Sequence, residues 1–565
     1  MTLRYGQHVN KISSATPQSE AIPGTVPNNA GGYGFAVDDW VRLDRFLILG
    51  AEGGTYYVSE RKLTRQNAAA VERCLAADAQ RAIDRIVTIS QEGRAAKNDA
   101  AIFALALAAS APDPATRKIA LLNFDHVCRT STHLFHFIQY IEGLRRWGRG
   151  LRTAVANWYL DMPVDQLAYQ AVKYRQRDGW THRDLLRLSH PRTHDRVRKA
   201  LFDWICHRDK PAVVDPVAAK MSQVSPSFIE AAVNVPSIVH AFEAVQGQIA
   251  ADAMVKLIRE FNLPREALPT EALNDPAVWE ALLVNMPMTA MIRNLGKMTS
   301  IGILNPLSDG EKSVVTALGN VEVMRKARIH PFALLLAQKV YGDGRGFRGG
   351  LTWSPSRRIV DTLDAAFYKS FKAVEPTGKR LLVALDVSGS MGTTMMDSPL
   401  TCREAAAAMA MVTMAVEPNH HIVGFTADGK DAWKSGNRRL PYPGRDGITP
   451  LDIGPKDRLS TVVEYTGALN FGATDCALPM LYALDRGLEV DAFVIYTDSE
   501  TWAGGVHPVE ALRNYCKWSG IPAKLVVVGM VSNGFSIADP NDAGMMDVVG
   551  FDTDTPNVIA NFIRE

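Results

Sequence analysis

Residues 380–391 read RLLVALDVSGSM, an apolar run that stops at a turn rich in acidic and hydroxyl groups. Helical patterns such as residues 402–416 separate this run from four further β-branched runs: HHIVGFTA from residue 420, DAFVIYTD from residue 491, KLVVVGMV from residue 524 and DVVGFD from residue 547. Continuous apolar strands between amphipathic helices are typical of a sheet that is covered on both faces. The sequence therefore predicts a doubly wound α/β domain over residues 376–565.

Three pieces of this domain carry oxygen ligands at the ends of predicted strands. Asp386, Ser388 and Ser390 form an Asp-x-Ser-x-Ser turn, Thr474 stands just before a helix, and Asp498 follows a later strand. Because the carboxyl ends of parallel strands share one edge, we expect the five side chains to converge there. Hydroxyl and carboxylate oxygens suit a hard cation that keeps some of its waters, so a site for Mg²⁺ or a similar divalent cation is predicted. Taken singly, each piece is also compatible with an ordinary turn or helix cap.

The preceding region, residues 36–375, is predicted to be helical almost throughout. Segments such as residues 98–110, 131–147 and 356–374 carry apolar residues at three- and four-residue spacing, and no strand pattern interrupts them. More than a dozen short helices, each unable to bury its apolar face alone, favour a solenoid of stacked helix pairs. Residues 1–35, rich in Pro, Gly, Asn and Ser, are predicted to form an extended arm.

Charge is distributed unevenly along the chain, although the formal net charge is only +2. Residues 1–375 hold 47 Lys and Arg against 37 Asp and Glu, whereas residues 376–565 hold 15 against 23. This division predicts a basic module that meets a polyanion, beside an acidic module with a different role.

Composition argues against several classes of protein. Apolar residues make up 47% of the chain and charged residues 22%, which is typical of a globular protein and not of a disordered one. No apolar stretch approaches the roughly 18 residues needed to span a bilayer, and the first residues lack the apolar core of a secretory signal. The six cysteines lie far apart without a Cys-x-x-Cys pair, which favours neither a disulfide framework nor a zinc site. We therefore expect a cytoplasmic protein that is not attached to a membrane.

The densest positive charge lies in residues 173–199, which contain nine Lys and Arg against three Asp. Lys173 and Arg177 are four residues apart, and we expect them on one face at the end of a helix that Gly179 terminates. Cations grouped in this way favour phosphate groups as ligands. The alternative is that they belong to the solvated faces of surface helices.

Two further features extend this basic surface. Thr181 and Asp184 form a predicted capping box for a short helix that ends near His190, which then projects close to Lys173 and Arg177. The stretch Gly-Arg-Gly-Phe-Arg-Gly-Gly at residues 344–350 presents Arg345 and Arg348 beside an aromatic ring, a combination that follows single-stranded nucleic acid by charge and stacking. A flexible connector between helices explains the same stretch equally well.

The α/β domain resembles von Willebrand factor A domains over about residues 378–565, through the five oxygen ligands named above. In that family the hydroxyl groups bind the metal directly and the carboxylates act largely through water. The resemblance therefore implies that Ser388, Ser390 and Thr474 are direct ligands of Mg²⁺, with Asp386 and Asp498 acting through water. It also implies that an acidic group of a partner completes the metal coordination.

Nearly the whole chain resembles the Ro autoantigen family with its TROVE module, in particular its bacterial-type members. The resemblance is carried by residues 31–64, 173–190 and 363–391. It implies an all-α ring of HEAT-like repeats followed by the A domain, with Lys173, Arg177 and His190 in contact with small noncoding Y-like RNA. It also implies passage of the 3′ ends of misfolded RNA through the ring, and an exoribonuclease such as polynucleotide phosphorylase as a partner.

These observations favour an RNA-binding scaffold for RNA quality control or processing, and not an enzyme. The only histidine in the loops around the metal ligands is His507, and Glu500 has no companion base at a recognisable spacing, so metal-assisted hydrolysis lacks a general base. Two alternatives remain open. One is a protein-interaction scaffold with a metal-dependent A domain and no specific RNA; the other is an RNA-processing enzyme that uses Mg²⁺ directly.

Overall fold

The computed structural model of the chain describes residues 15–50, 68–207, 234–247, 249–347, 349–371, 374–394, 398–427, 447–454, 457–469, 472–531, 533–551 and 555–565. Within the described residues of the N-terminal region, helices α1–α19 run over Asp39–Leu49, Ala69–Ala77, Ala79–Glu92, Asp99–Ala109, Pro114–Leu122, Phe124–Val127, Ser131–Leu144, Arg149–Asp161, Val164–Lys173, His182–Ser189, Arg196–His207, Ser237–Gln246, Ala251–Phe261, Pro276–Val284, Met288–Ser300, Asp309–Gly319, Val321–Lys326, Pro331–Gly342 and Arg357–Ser370. The predicted helical region is confirmed.

Helix α4 lies at the centre of the first half of this region. Its sequence DAAIFALALAA has no polar face after Asp99, and every residue from Ala100 to Ala109 is buried. Phe103 packs edge-on against Tyr140 of α7, with ring centroids 5.2 Å apart. A helix that is apolar all round is stable only when neighbours cover all of its sides, which the surrounding helices do.

One local prediction for this region is wrong, because two short strands interrupt the helices. Strands β3 (Gln176–Arg177) and β4 (Trp180–Thr181) pair antiparallel around a tight turn. Asp178 and Gly179 both have positive φ, 53° and 82°, as a two-residue hairpin turn requires.

The C-terminal region contains a six-stranded sheet in the order β11-β9-β8-β5-β6-β7, parallel except for β7. Its strands are Leu381–Asp386 (β5), His420–Phe425 (β6), Ile448–Pro450 (β7), Ala492–Thr497 (β8), Lys524–Gly529 (β9) and Met545–Val549 (β11). Its helices α20–α24 are Cys402–Val416, Leu459–Gly467, Leu478–Arg486, Pro508–Ser519 and Thr555–Arg564. The predicted α/β domain is confirmed.

The central strand β5 is buried on both faces, and its alternate residues belong to different cores. Leu381, Val383 and Leu385 join the core that continues into the helical region. Leu382 and Ala384 face a second core formed with α22 and α23. The sheet therefore shares one of its two faces with the helical region, which makes the two regions a single packed body.

The N-terminal segment, residues 15–36, lies against the α/β domain. Strands β1 (Thr25–Pro27) and β2 (Tyr33–Ala36) form an antiparallel pair, and β2 also pairs with β10 (Phe535–Ser536). Directly afterwards, the guanidinium of Arg45 in α1 is 1% exposed and lies 2.6 Å from a carboxylate oxygen of Asp547. Residues 25–45 are thus anchored on the C-terminal α/β domain.

An early and a late part of the helical region also contact each other. The guanidinium of Arg328 donates to the carbonyl of Gln91, 3.0 Å away and 237 residues earlier in the chain. Nε2 of His330 lies 3.1 Å from the carbonyl of Arg94, while its Nδ1 accepts from the backbone of Phe332. Because a cation at the carbonyl end of a helix satisfies unpaired acceptors, Arg328 stabilises the end of α3. These contacts join the end of α3 to the residues between α17 and α18.

Within the described ranges, none of the helices combines the length and the apolar character that crossing a bilayer demands.

Candidate metal centre and basic surface

Strand β5 places the first three candidate ligands on one tight turn. Asp386 ends the strand, and one of its carboxylate oxygens accepts from the backbone N–H of Ser388 at 2.9 Å. The hydroxyl oxygens of Ser388 and Ser390 lie 3.0 Å apart, and a 3-10 turn begins at Ser390. All three side chains are buried, so their oxygens are held in place before any ligand arrives.

The other two candidates lie at the same edge of the sheet. Asp498 directly follows β8, and Thr474 precedes α22; each is 1% exposed. The hydroxyl of Thr497 donates to Asp386 at 2.6 Å, which ties the β8 end to the β5 end. The backbone N–H of Gly389 reaches the carbonyl of Gly472 at 3.4 Å, which ties in the Thr474 loop. The structure therefore brings the three pieces of sequence together. We call the resulting group of five side chains the metal cluster: Asp386, Ser388, Ser390, Thr474 and Asp498.

Two oxygens of this cluster have no hydrogen-bond partner in the described residues: Thr474 Oγ1 and Asp498 Oδ2, both buried. Buried polar atoms are normally satisfied, and an unsatisfied one costs about 1–3 kcal/mol. Two such oxygens beside a pair of serine hydroxyls are the donor set that a hard cation prefers. The residues present thus fit a divalent cation.

The electrostatics of the cluster agree with this fit. Burial raises the pKa of the Asp386 carboxyl above its usual range, and burial together with the nearby Asp386 raises the pKa of Asp498 still further. The guanidinium of Arg403 donates to the carbonyls of Val387 and Ser388, and its charge partly offsets the effect on Asp386. A bound cation would favour the ionised form of both carboxyls. The described part of the chain has no group of three or more His, Cys, Asp or Glu residues positioned to hold a metal.

The potential bases near the cluster are engaged in structural contacts. The carboxylate of Glu500 accepts from the backbone N–H groups of Asn29 and Ala30 at 3.0 and 3.1 Å. Nε2 of His507 lies 2.8 Å from the carbonyl of Glu20. Cys476 is buried, and burial raises the pKa of its thiol well above the usual range, which disfavours the thiolate. Each of these groups stabilises the loops around the cluster.

Lys173 lies at the end of α9 in an aromatic setting. Its ammonium nitrogen is 5.5 Å from the ring centroid of Tyr169 and 5.0 Å from that of Tyr174. Burial alone would lower the pKa of Lys173, but Tyr169, Tyr174 and Glu266 raise it above the usual value. Lys173 is therefore a fixed cation at neutral pH. The sequence signal for this arrangement was the tyrosine that follows the lysine.

Arg177 is not on the helix that carries Lys173, which corrects the prediction of one helical face. Helix α9 ends at Lys173, and Arg177 lies in β3 of the hairpin. Its side chain is 60% exposed, with Asp178 at 3.9 Å. The hairpin presents Arg177 to solvent because the positive-φ pair at Asp178 and Gly179 turns the chain away from the helix axis.

The predicted capping box of the next helix is confirmed. Thr181 and Asp184 exchange side-chain and backbone hydrogen bonds at the start of α10. His190 is the residue after this helix, with φ of 50°, and its side chain is exposed. Eight residues of helix span about 12 Å, so Arg177 and His190 lie near opposite ends of α10.

The Arg/Gly loop after α18 is held at its base. Arg345 and Thr352 form a β-bridge, and the N–H of Gly346 donates to the carbonyl of Leu351 at 2.9 Å. Trp353 stacks on Tyr341 with centroids 6.1 Å apart, which anchors the return of the loop. The side chain of Phe347 is 52% exposed beside the exposed Arg345. Arg348 lies outside the described residues.

His182 is buried at the start of α10 and makes the stability of the folded protein dependent on pH. Its ring is 3% exposed, Nδ1 is 2.8 Å from the hydroxyl of Tyr159, and burial lowers its pKa to about 4. Because the unfolded chain takes up this proton near pH 6.5 and the folded chain does not, stability falls as pH drops from 6.5 toward 4.

We expect this single group to cost about 2 kcal/mol of unfolding free energy between pH 7 and pH 5. Urea unfolding of the wild type and of His182→Gln at both pH values measures it, and the variant should lose less stability on acidification. His194→Gln, at an exposed position, should behave as the wild type does. Equal losses in all three proteins would contradict the assignment.

Comparison with known proteins covers both regions of the chain. A family model described as the TROVE domain matches residues 26–343, and one described as the Ro60 vWA domain matches residues 380–563. The RNA-binding protein RO60 of Caenorhabditis elegans is 37% identical over 600 aligned positions, which cover 96% of this chain and 90% of that protein. The protein of the same name from Deinococcus radiodurans is 39% identical over 553 positions, 97% of each.

A solved structure shows the same likeness. The crystal structure of the Deinococcus radiodurans RO (RSR) protein aligns with a TM-score of 0.66 and 38% sequence identity. The alignment covers 93% of this chain and 99% of that one. The order of the helical region and the α/β domain is therefore that of a known protein.

Proposed function

This chain belongs to the Ro family, whose members join a TROVE domain to a von Willebrand factor A domain, and on that premise we propose that it is a cytoplasmic RNA-binding scaffold. Its ligands are small noncoding Y-like RNA and the 3′ ends of misfolded RNA, and its role is RNA quality control or processing. The observation that carries the proposal is the basic stretch from residue 173 to residue 190, in which the ammonium of Lys173 is ordered by two tyrosines at the end of α9 and the side chain of Arg177 is exposed on the hairpin that follows.

The RNA surface consists of cations that differ in how firmly they are held. Lys173 is ordered by its two tyrosines and loses little freedom on binding, whereas Arg177 reaches into solvent and supplies forked hydrogen bonds to phosphate. His190 extends the surface along α10. Arg345 and Phe347 provide a separate place where a single strand is followed by charge and stacking.

The A domain, in this proposal, binds Mg²⁺ or a similar divalent cation. Ser388, Ser390 and Thr474 would hold the ion directly, with Asp386 and Asp498 supporting it through water. The two partnerless oxygens in the cluster support this proposal. When bound, the ion would offer a coordination position to an acidic group of a partner protein. An exoribonuclease such as polynucleotide phosphorylase is the partner that family membership suggests.

Binding without cleavage separates the scaffold from an RNA-processing enzyme. End-labelled structured RNA incubated with the protein and Mg²⁺ should be retained on a gel and remain intact. Asp386→Ala should bind the RNA as the wild type does, because the metal cluster and the basic surface lie in different domains. Cleavage that disappears in Asp386→Ala would contradict the proposal and establish the enzyme alternative.

A further inference from the structure

The N-terminal segment, residues 15–36, forms hydrogen bonds with both loops that carry the two oxygens without a hydrogen-bond partner in the described residues, Thr474 Oγ1 and Asp498 Oδ2. The side chain of Gln18 is fully buried; its Nε2 donates to Oδ1 of Asp475 and to the carbonyl of Val506, both at 2.7 Å. Its Oε1 accepts from the hydroxyl of Thr501. One side chain thus links the neighbour of Thr474 to the loop that follows Asp498.

The same segment occupies the carboxylate of Glu500. Besides the two backbone donors from Asn29 and Ala30, the side-chain amide of Asn29 donates to Glu500 at 2.8 Å. The side-chain amide of Asn28 donates to the carbonyl of Thr501 at 2.6 Å. These donors engage both carboxylate oxygens of Glu500, two residues after Asp498.

The fit between the segment and the loop is close. A Cβ atom on Gly32 would lie 2.0 Å from the carbonyl oxygen of Thr501, so only glycine permits this approach. Between Asp498 and Glu500, Ser499 has φ of 61°, a strained value for a residue with a side chain. Such strain persists only where the surroundings hold the chain on both sides, and the segment supplies that hold at Glu500.

A second contact fixes Asp498 from the other side. Its carbonyl accepts from the side-chain amide of Asn533 at 2.6 Å, and Asn533 in turn accepts from the guanidinium of Arg45 at 2.8 Å. Arg45 lies in α1, directly after the N-terminal segment. Residues 18–45 therefore contact, directly or through Asn533, both loops that carry the proposed metal ligands.

We infer that residues 18–32 of this segment are part of the metal centre, with Gln18 and Asn29 as positioning residues that set which oxygens of the Thr474 and Asp498 loops face the cation. The inference rests on the proposed metal binding. Residues that orient metal ligands typically contribute 10–100-fold to metal affinity when they are mutated singly. A loss of metal affinity of this kind differs from a general loss of stability, because the weaker metal binding is also measured at temperatures where the variant is fully folded.

Binding of Mn²⁺ to the full chain, followed by its electron paramagnetic resonance signal with Mg²⁺ as competitor, tests the inference. Gln18→Met keeps the side-chain length and removes the three hydrogen bonds; its Kd for Mn²⁺ should be at least about tenfold higher. Asn29→Ala, at an exposed position, keeps the protein folded and should raise the Kd by a smaller factor. Thr16→Val is the matched control, because Thr16 contacts Glu510 on α23 and not the metal loops.

The outcomes separate the two proposals. Wild-type binding with weaker binding in Gln18→Met and Asn29→Ala, and unchanged binding in Thr16→Val, supports the inference. If both variants bind Mn²⁺ as the wild type does, the segment only packs against the domain and the inference is wrong. If the wild type itself binds no Mn²⁺, the proposed metal function fails, and the inference fails with it.

Discussion

Replacing Ser388 and Ser390 together by alanine is expected to abolish the stabilisation of this protein by Mg²⁺. A ligand that binds only the folded state stabilises it by about 2.7 kcal/mol at a hundred times its Kd. Without the two hydroxyls, the cluster retains one hydroxyl, Thr474, and two carboxylates that we assign to water-mediated roles, so the affinity should collapse. Thermal unfolding with increasing Mg²⁺ should shift upward for the wild type and stay constant for the double variant.

In the absence of Mg²⁺ the double variant should itself be less stable than the wild type, because Ser388 and Ser390 hydrogen-bond to each other and to the buried carboxyls of Asp386 and Asp498. Ser398→Ala is a suitable control. Ser398 is also buried and accepts from the N–H of Leu400, outside the metal cluster. This control should keep the full response to Mg²⁺. An undiminished response in the double variant would remove the assignment of the site.

Replacing Lys173 and Arg177 together by alanine should weaken the binding of structured small RNA by at least about a hundredfold near physiological salt, taking about 1.5 kcal/mol, the low end for a charged hydrogen bond, for each residue. The slope of log K against log salt should also flatten by about 0.7–0.9 for each lost phosphate contact. Filter binding at several salt concentrations measures both quantities. The expected change is large because Lys173 is already ordered and Arg177 is exposed.

A control for net charge is available on a distant surface. Lys312 and Arg325 are exposed and pair with Asp309 and Glu322. Replacing both by alanine removes two positive charges, as many as the Lys173→Ala and Arg177→Ala variant loses. RNA affinity in this control should change little. If the two double variants lose affinity equally, RNA recognises only the net charge of the protein, and the assigned surface is incorrect.

The classes of the two domains could be predicted from the sequence, and so could the grouping of the candidate metal ligands at one edge of the sheet. Both depend on patterns within short stretches of sequence. Continuous apolar runs form parallel strands because both sheet faces are covered, and parallel strands bring Asp386 and Asp498 to one edge. The capping box at Thr181 was predictable because it involves residues only three apart.

The features that could not be predicted from the sequence depend on very short strands or on contacts between residues that are far apart in the chain. Two-residue strands are too short for a hydrophobic period, so Arg177 was placed on a helix, although the Asp178–Gly179 pair is itself a hairpin signal. The contact between Gln18 and Asp475 joins residues 457 apart, and no local pattern encodes it. The same holds for the contact between Arg328 and Gln91, which are 237 residues apart.

The affinity of the wild-type protein for a structured small RNA, measured from about 50 to 200 mM salt, tests the central claim most directly, because phosphate contacts release counterions in this range. The account predicts appreciable binding near physiological salt, a steep negative slope of log K against log salt, and a shallower slope after Lys173 and Arg177 are replaced. The absence of measurable RNA binding near physiological ionic strength would contradict it.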